Sequence, residues 1–152
     1  MSCAETVTLS NAEINQQALA NASALPYLMV AFARACGRSP EEAASFAGHI
    51  FAPGWVKFAG QGADTILRAI TLNLVCCGGE IEDFSGDHNL AEARVSGVPV
   101  QDEAEFFGIT CEEADRFSDI FGPIADSLGF DYSWHRDGPT LALALRRQDF
   151  GR

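Results

Sequence analysis

The chain has 152 residues, 47% hydrophobic and 20% charged, a composition that fits one packed globular domain and argues against a disordered chain. A formal net charge of -11, with no basic stripe to offset it, argues against a nucleic-acid partner. The least charged stretch, residues 14–33, holds Asn15, Gln16, Gln17, Asn21, Ser23 and Pro26 and is too polar to span a bilayer, so no membrane partner is expected. The first residues lack the basic and apolar runs of a secretory leader, and five cysteines (Cys3, Cys36, Cys76, Cys77, Cys111) do not pair evenly, which fits reduced thiols in a soluble cytoplasmic protein.

Three capping boxes mark helix starts. Ser10 with Glu13, Ser39 with Glu42 and Thr110 with Glu113 each place a hydroxyl at the N-cap and a carboxylate three residues on, where they satisfy backbone N–H groups that the helix leaves free. The first helix is expected over residues 11–36, stopped by Gly37, with a kink or a junction of two helices at Pro26, whose ring removes one ladder bond. The second starts at Pro40 and runs to about Phe51, with an apolar face of Ala43, Phe46, Ala47, Ile50 and Phe51 and with His49 as a satisfied core histidine. A glycine-punctuated aromatic linker, residues 52–62, leads to a third helix over 63–75 that turns Ile66, Leu67, Ile70 and Leu74 inward.

Gly78-Gly79 ends that helix and the pattern changes. Residues 80–85 alternate as a strand, with Ile81 and Asp83 on one face and Glu82 and Phe84 on the other, and a turn at 85–89 leads to a partner strand over 90–95. A short helix over 102–107 stops at Gly108. A last helix over 111–128, bent at Gly122-Pro123, carries Phe117, Ile120, Phe121, Ile124 and Leu128 as its inward stripe. A C-terminal hairpin follows, with strands over 130–135 and 140–147 joined through Arg136-Asp137-Gly138-Pro139. The order α-α-α-β-β-α-α-β-β predicts an α+β fold: a helical N-terminal half packed on an antiparallel sheet of two hairpins. Residues 10–147 form a single domain, with short tails at 1–9 and 148–152.

Candidate chemistry is sparse. Cys77 sits at a helix C-terminus, where the negative end of the dipole disfavours a thiolate, so the structural reading outweighs a nucleophile. His88 follows Asp87 in a loop, the pairing of a general base with its orienting acid, and equally an ordinary turn. His135 shares the last hairpin with Tyr132, Trp134 and Arg136, which line a binding face or form an amphipathic edge strand. Trp55 and Phe58 either wall a pocket between helices or pack the core. No zinc-ligand spacing, P-loop, nucleophile elbow or dinucleotide fingerprint occurs, so no metal site is expected and no cofactor is indicated.

The element order, with Val98-Pro99-Val100-Gln101-Asp102-Glu103-Ala104-Glu105-Phe106-Phe107-Gly108 leading to the C-terminal hairpin, resembles the α+β domains that group L-2-amino-thiazoline-4-carboxylic acid hydrolase-like proteins with 4-vinyl-reductase-type (4VR) domains. The likeness covers residues 75–147. Those proteins often carry a cysteine before the short helix and another in the final strand, where this chain has Gly97-Val98 and Leu141 to Leu145. The resemblance thus implies a topology and a small-molecule pocket, without a cysteine- or metal-based site.

Three functions compete. The first is a small-molecule-binding or sensory domain, a homodimer, with its pocket between the helical layer and the sheet. The second is a small hydrolase drawing on His88, Asp87, His135 and Cys77, which requires at least two of them within hydrogen-bond reach. The third is a homo-oligomeric interaction protein without catalysis, marked by exposed apolar helix surface.

Overall fold

All three capping boxes close: the side chains of Ser10, Ser39 and Thr110 accept the backbone N–H of Glu13, Glu42 and Glu113. The computed structural model describes residues 10–149. In chain order these form α1 (Asn11–Ala35), α2 (Pro40–Phe51), a 3-10 helix (Ala52–Phe58), α3 (Ala63–Cys76), β1 (Glu80–Gly86), β2 (Leu90–Ser96) and α4 (Gln101–Phe106). After these come α5 (Cys111–Asp115), a second 3-10 helix (Arg116–Ile120), α6 (Phe121–Ser127), β3 (Phe130–Asp137) and β4 (Thr140–Arg147). Cys3 lies outside the described residues, of which no helix is long and apolar enough to cross a membrane.

The fold is α+β. Both hairpins join one antiparallel sheet in the order β1-β2-β4-β3. Ala91, Ala93 and Val95 of β2 and Leu141, Leu143 and Leu145 of β4 alternate onto one face, which they bury with Phe130 against Ile66, Leu67, Ile70 and Leu74 of α3 and Ile124 of α6. A second, smaller core gathers Tyr27, Val30, Ala104, Ile109 and Ala114, and the N–H of Val100 donates to Tyr27 Oη at 2.6 Å. That bond ties α1 to the loop before α4.

The structure departs from the sequence reading in five places. The linker after α2 is a 3-10 helix. In β1 the register slips between Ile81 and Asp83, so Ile81 and Phe84, opposite Val95 and Ala93, share a face instead of alternating. The single helix expected over 111–128 is two short helices joined by a 3-10 helix, because Pro123, in the first turn of α6, lacks an N–H for the ladder. The C-terminal turn is tighter than expected, since Asp137 pairs with Thr140 and Arg136 therefore lies in β3.

The fifth departure is α2. It buries Ala44 and Gly48, while Phe46, Ile50, Phe51 and His49 are exposed, which overturns the core position given to His49. Gly48 decides the orientation. A Cβ there would run into the carbonyl oxygen of Ile120 and sit 3.1 Å from the Pro123 ring. Helix and backbone therefore meet closely at a glycine, and the bulky stripe is turned outward. Gly48→Ala is expected to destabilise the fold by about 2 kcal/mol in urea denaturation, whereas Gly54→Ala, with nothing within 4 Å of the added carbon, changes stability by under about 0.5 kcal/mol.

Candidate functional site

The β1–β2 loop docks on the start of α3, where the carbonyls of His88 and Asp87 accept the N–H groups of Ala63 and Asp64 at 3.0 Å. Asp87 turns its carboxylate back into the loop, accepting from the N–H groups of Asn89 (2.7 Å) and Leu90 (3.1 Å), and these bonds hold its carboxyl below the usual range. The His88 ring instead meets Arg147, with Nη2 to Nε2 at 2.9 Å. A guanidinium only donates, so Nε2 accepts and Nδ1 carries the ring proton. His135 lies on the face of the sheet away from the helices, paired with Ala142, roughly 17 Å along β4 from Arg147.

Cys77 follows the last residue of α3, and its surroundings explain it. Pro26 has no N–H, which leaves the carbonyl of Ala22 without its helical donor. The Cys77 thiol approaches that oxygen at 4.0 Å, where a weak S–H donor stands in for the missing N–H. Burial pushes the thiol up, and neighbouring Cys76 adds to this. Among the described residues no hydrogen bond joins any two of His88, Asp87, His135 and Cys77, so the geometric condition for the hydrolase reading is not met. Nor do any three His, Cys, Asp or Glu side chains there gather as ligands for a metal ion.

The proposed ligand-binding side chains are occupied by protein. Arg136 forks onto both carboxylate oxygens of Asp115, and it also donates to the carbonyls of Pro139 (3.0 Å) and Val98 (2.9 Å). Trp134 Nε1 donates to Asp119 Oδ1 at 2.8 Å, and the Arg116 guanidinium lies 5.3 Å over the indole while pairing with Glu41. Tyr132 meets Phe121 edge-on; its buried hydroxyl finds no partner among the described residues, and that burial pushes the phenol up. Trp55 packs on Phe58 and edge-on to Phe121 at the margin of the core. Trp134 and Arg136 border one cleft beside α5, which Trp55, Phe58 and Tyr132 do not line.

Between helices and sheet, where a pocket was expected, the described residues enclose a small cavity. The cavity there, among Tyr27, Leu74, Ser118, Arg136 and Leu141, measures about 30 Å³, room for a water. An apolar concavity of ligand size instead opens between α1 and α2, about 480 Å³, walled by Met29, Phe32, Ala43, Phe46 and Ala47, with Arg38 and Glu42 as its charged members.

The groove belongs to a wider apolar surface. Ile14 (50% exposed), Leu25 (62%), Leu28 (51%) and Phe32 (67%) stand out from α1, and Phe46 (69%) and Ile50 (63%) from α2. Every residue from Asn11 to Asn21 is exposed, so the first half of α1 forms an arm of three turns. Along the whole helix Ile14, Ala18, Asn21, Leu25, Leu28 and Phe32 follow one another in steps of four and three, the spacing of a coiled-coil seam. The sequence reading missed this seam. Its signal was the repeat itself, but nothing in the repeat says that the fold would bury the opposite side, at Tyr27, Val30 and Ala33.

No protein-family model, curated protein or solved structure matches the chain.

Arg136→Ala is expected to lower stability by about 3 kcal/mol in urea denaturation, because it strands a nearly buried Asp115 carboxylate. A residue that only held a ligand would leave the melt unchanged. Timed alkylation with iodoacetamide is expected to modify exposed Cys76 well before Cys77, read by peptide mass spectrometry.

Proposed function

We propose that the chain is a non-catalytic interaction domain that associates with a second copy of itself through the exposed face of α1 and the groove beside it. One observation carries this reading: six residues of α1 at seven-residue-repeat spacing, four of them large and apolar, all facing water. Apolar surface of this extent marks an interaction site. A helix of three turns is marginal in water unless one face packs, and the arm of α1 has no packed face among the described residues. A second copy supplies such a face because it carries the same seam.

A second reading is favoured by the groove itself. Its volume and apolar walls fit a small molecule, which in native mass spectrometry would appear as mass added to the bare chain.

Self-association predicts a dimer at micromolar concentration by native mass spectrometry and light scattering. Leu28→Glu places an unpaired carboxylate in the seam of each copy and is expected to weaken the dimer at least about 100-fold, with helical circular dichroism retained. A wild-type chain that stays monomeric at high concentration overturns the reading.

A further inference from the structure

We infer that the two copies pair through α1 in antiparallel fashion about a two-fold axis at Ser23, so that the arm of each lies on the body half of the other. This rests on the self-association just proposed and specifies its geometry. Ser23 is the midpoint of α1, which runs from Asn11 to Ala35, so an axis there overlaps all 25 residues, a contact about 37 Å long. The seam is symmetric about the same point. Ile14 falls opposite the partner's Phe32, Ala18 opposite the partner's Leu28, and Asn21 opposite the partner's Leu25. Ala18, the one small residue of the seam, thus meets a large one, as close helix packing requires.

Charge selects the same direction. The two charged side chains of α1 are engaged within their own copy, Glu13 with Ser10 and Arg34 with the Gly108 carbonyl, which leaves the partial charges of the helix ends to set the direction. Antiparallel pairing opposes the two helix dipoles favourably, whereas parallel pairing aligns them. Burial points the same way. The arm lacks a packed face, and the body half offers Leu25, Leu28 and Phe32 with the groove opening beside Phe32. An arm laid across that half covers both defects at once, and the partner's Ile14 then closes the mouth of the groove. A parallel pair would join arm to arm and leave both grooves open.

Charge exchange tests the direction without relying on the native cysteines. Ala18→Glu and Leu28→Lys, both at exposed positions, are each expected to weaken the dimer at least about tenfold by sedimentation equilibrium. Combined, A18E/L28K sets the introduced carboxylate of each copy against the introduced ammonium of the other, and is expected to recover affinity to within about threefold of the wild type. The reversed pair, A18K/L28E, is expected to behave alike, and circular dichroism checks the fold of each variant. A double variant weaker than either single means like charges face each other, and overturns the antiparallel pairing while self-association stands. Singles without effect place the interface away from α1 and overturn it too. A wild-type monomer overturns both.

Discussion

Three separate parts of the chain meet at the guanidinium of Arg136. It binds Asp115 at the end of α5, the carbonyl of Val98 in the loop before α4, and the carbonyl of Pro139 in the last turn. A planar fork with fixed donor directions satisfies these acceptors in one arrangement, which a flexible ammonium would not enforce. Because the pair is largely buried, desolvation offsets much of its Coulombic gain, and its main effect is to fix geometry. The anchoring continues along β3. Trp134 holds Asp119, Arg116 lies on the Trp134 ring, and Arg116 reaches Glu41 in the first turn of α2. The edge strand of the sheet is thereby tied to the helix that walls the apolar groove.

That connection, with the close approach at Gly48, accounts for the exposed stripe of α2. An apolar repeat tells that a face avoids water; it does not tell what covers it. The helical repeat of Ala43, Phe46, Ala47, Ile50 and Phe51 points to a core side, yet the fold buries Ala44 and Gly48, where backbone can come close to backbone. The features read correctly were local ones. Capping boxes and C-terminal glycines are settled within four or five residues, so α1, α2 and α5 begin where expected. The bulge at Glu82 and the break at Arg116–Ile120 depend on a partner strand and on packing, which no local pattern encodes.

The candidate site was less legible for a related reason. Neighbours in sequence such as Asp87 and His88 invite a catalytic reading, but a tight turn points them apart, one into its own loop and one toward Arg147. Cys77 carried a signal only in combination with a residue some fifty positions earlier: a proline inside a helix frees a carbonyl, and something must answer it. The hairpin position of Arg136 suggests a binding face or an edge strand, and its partners lie in three segments that meet only in the folded chain.

The two halves of α1 divide its work. From Pro26 onward one side packs through Tyr27, Val30 and Ala33, while the seam on the far side remains apolar across both halves. A helix that only anchored the body could begin near Ala22, and one that only associated would not need the bond from Val100 to Tyr27. Having both on one continuous helix makes the arm's order depend on whatever covers the seam, since three free turns are barely stable alone. In the proposed pairing each body would supply the surface that its partner's arm lacks. Association and ordering of the arm would then be one equilibrium, coupled by mass action, and the core of each copy would stand largely outside it.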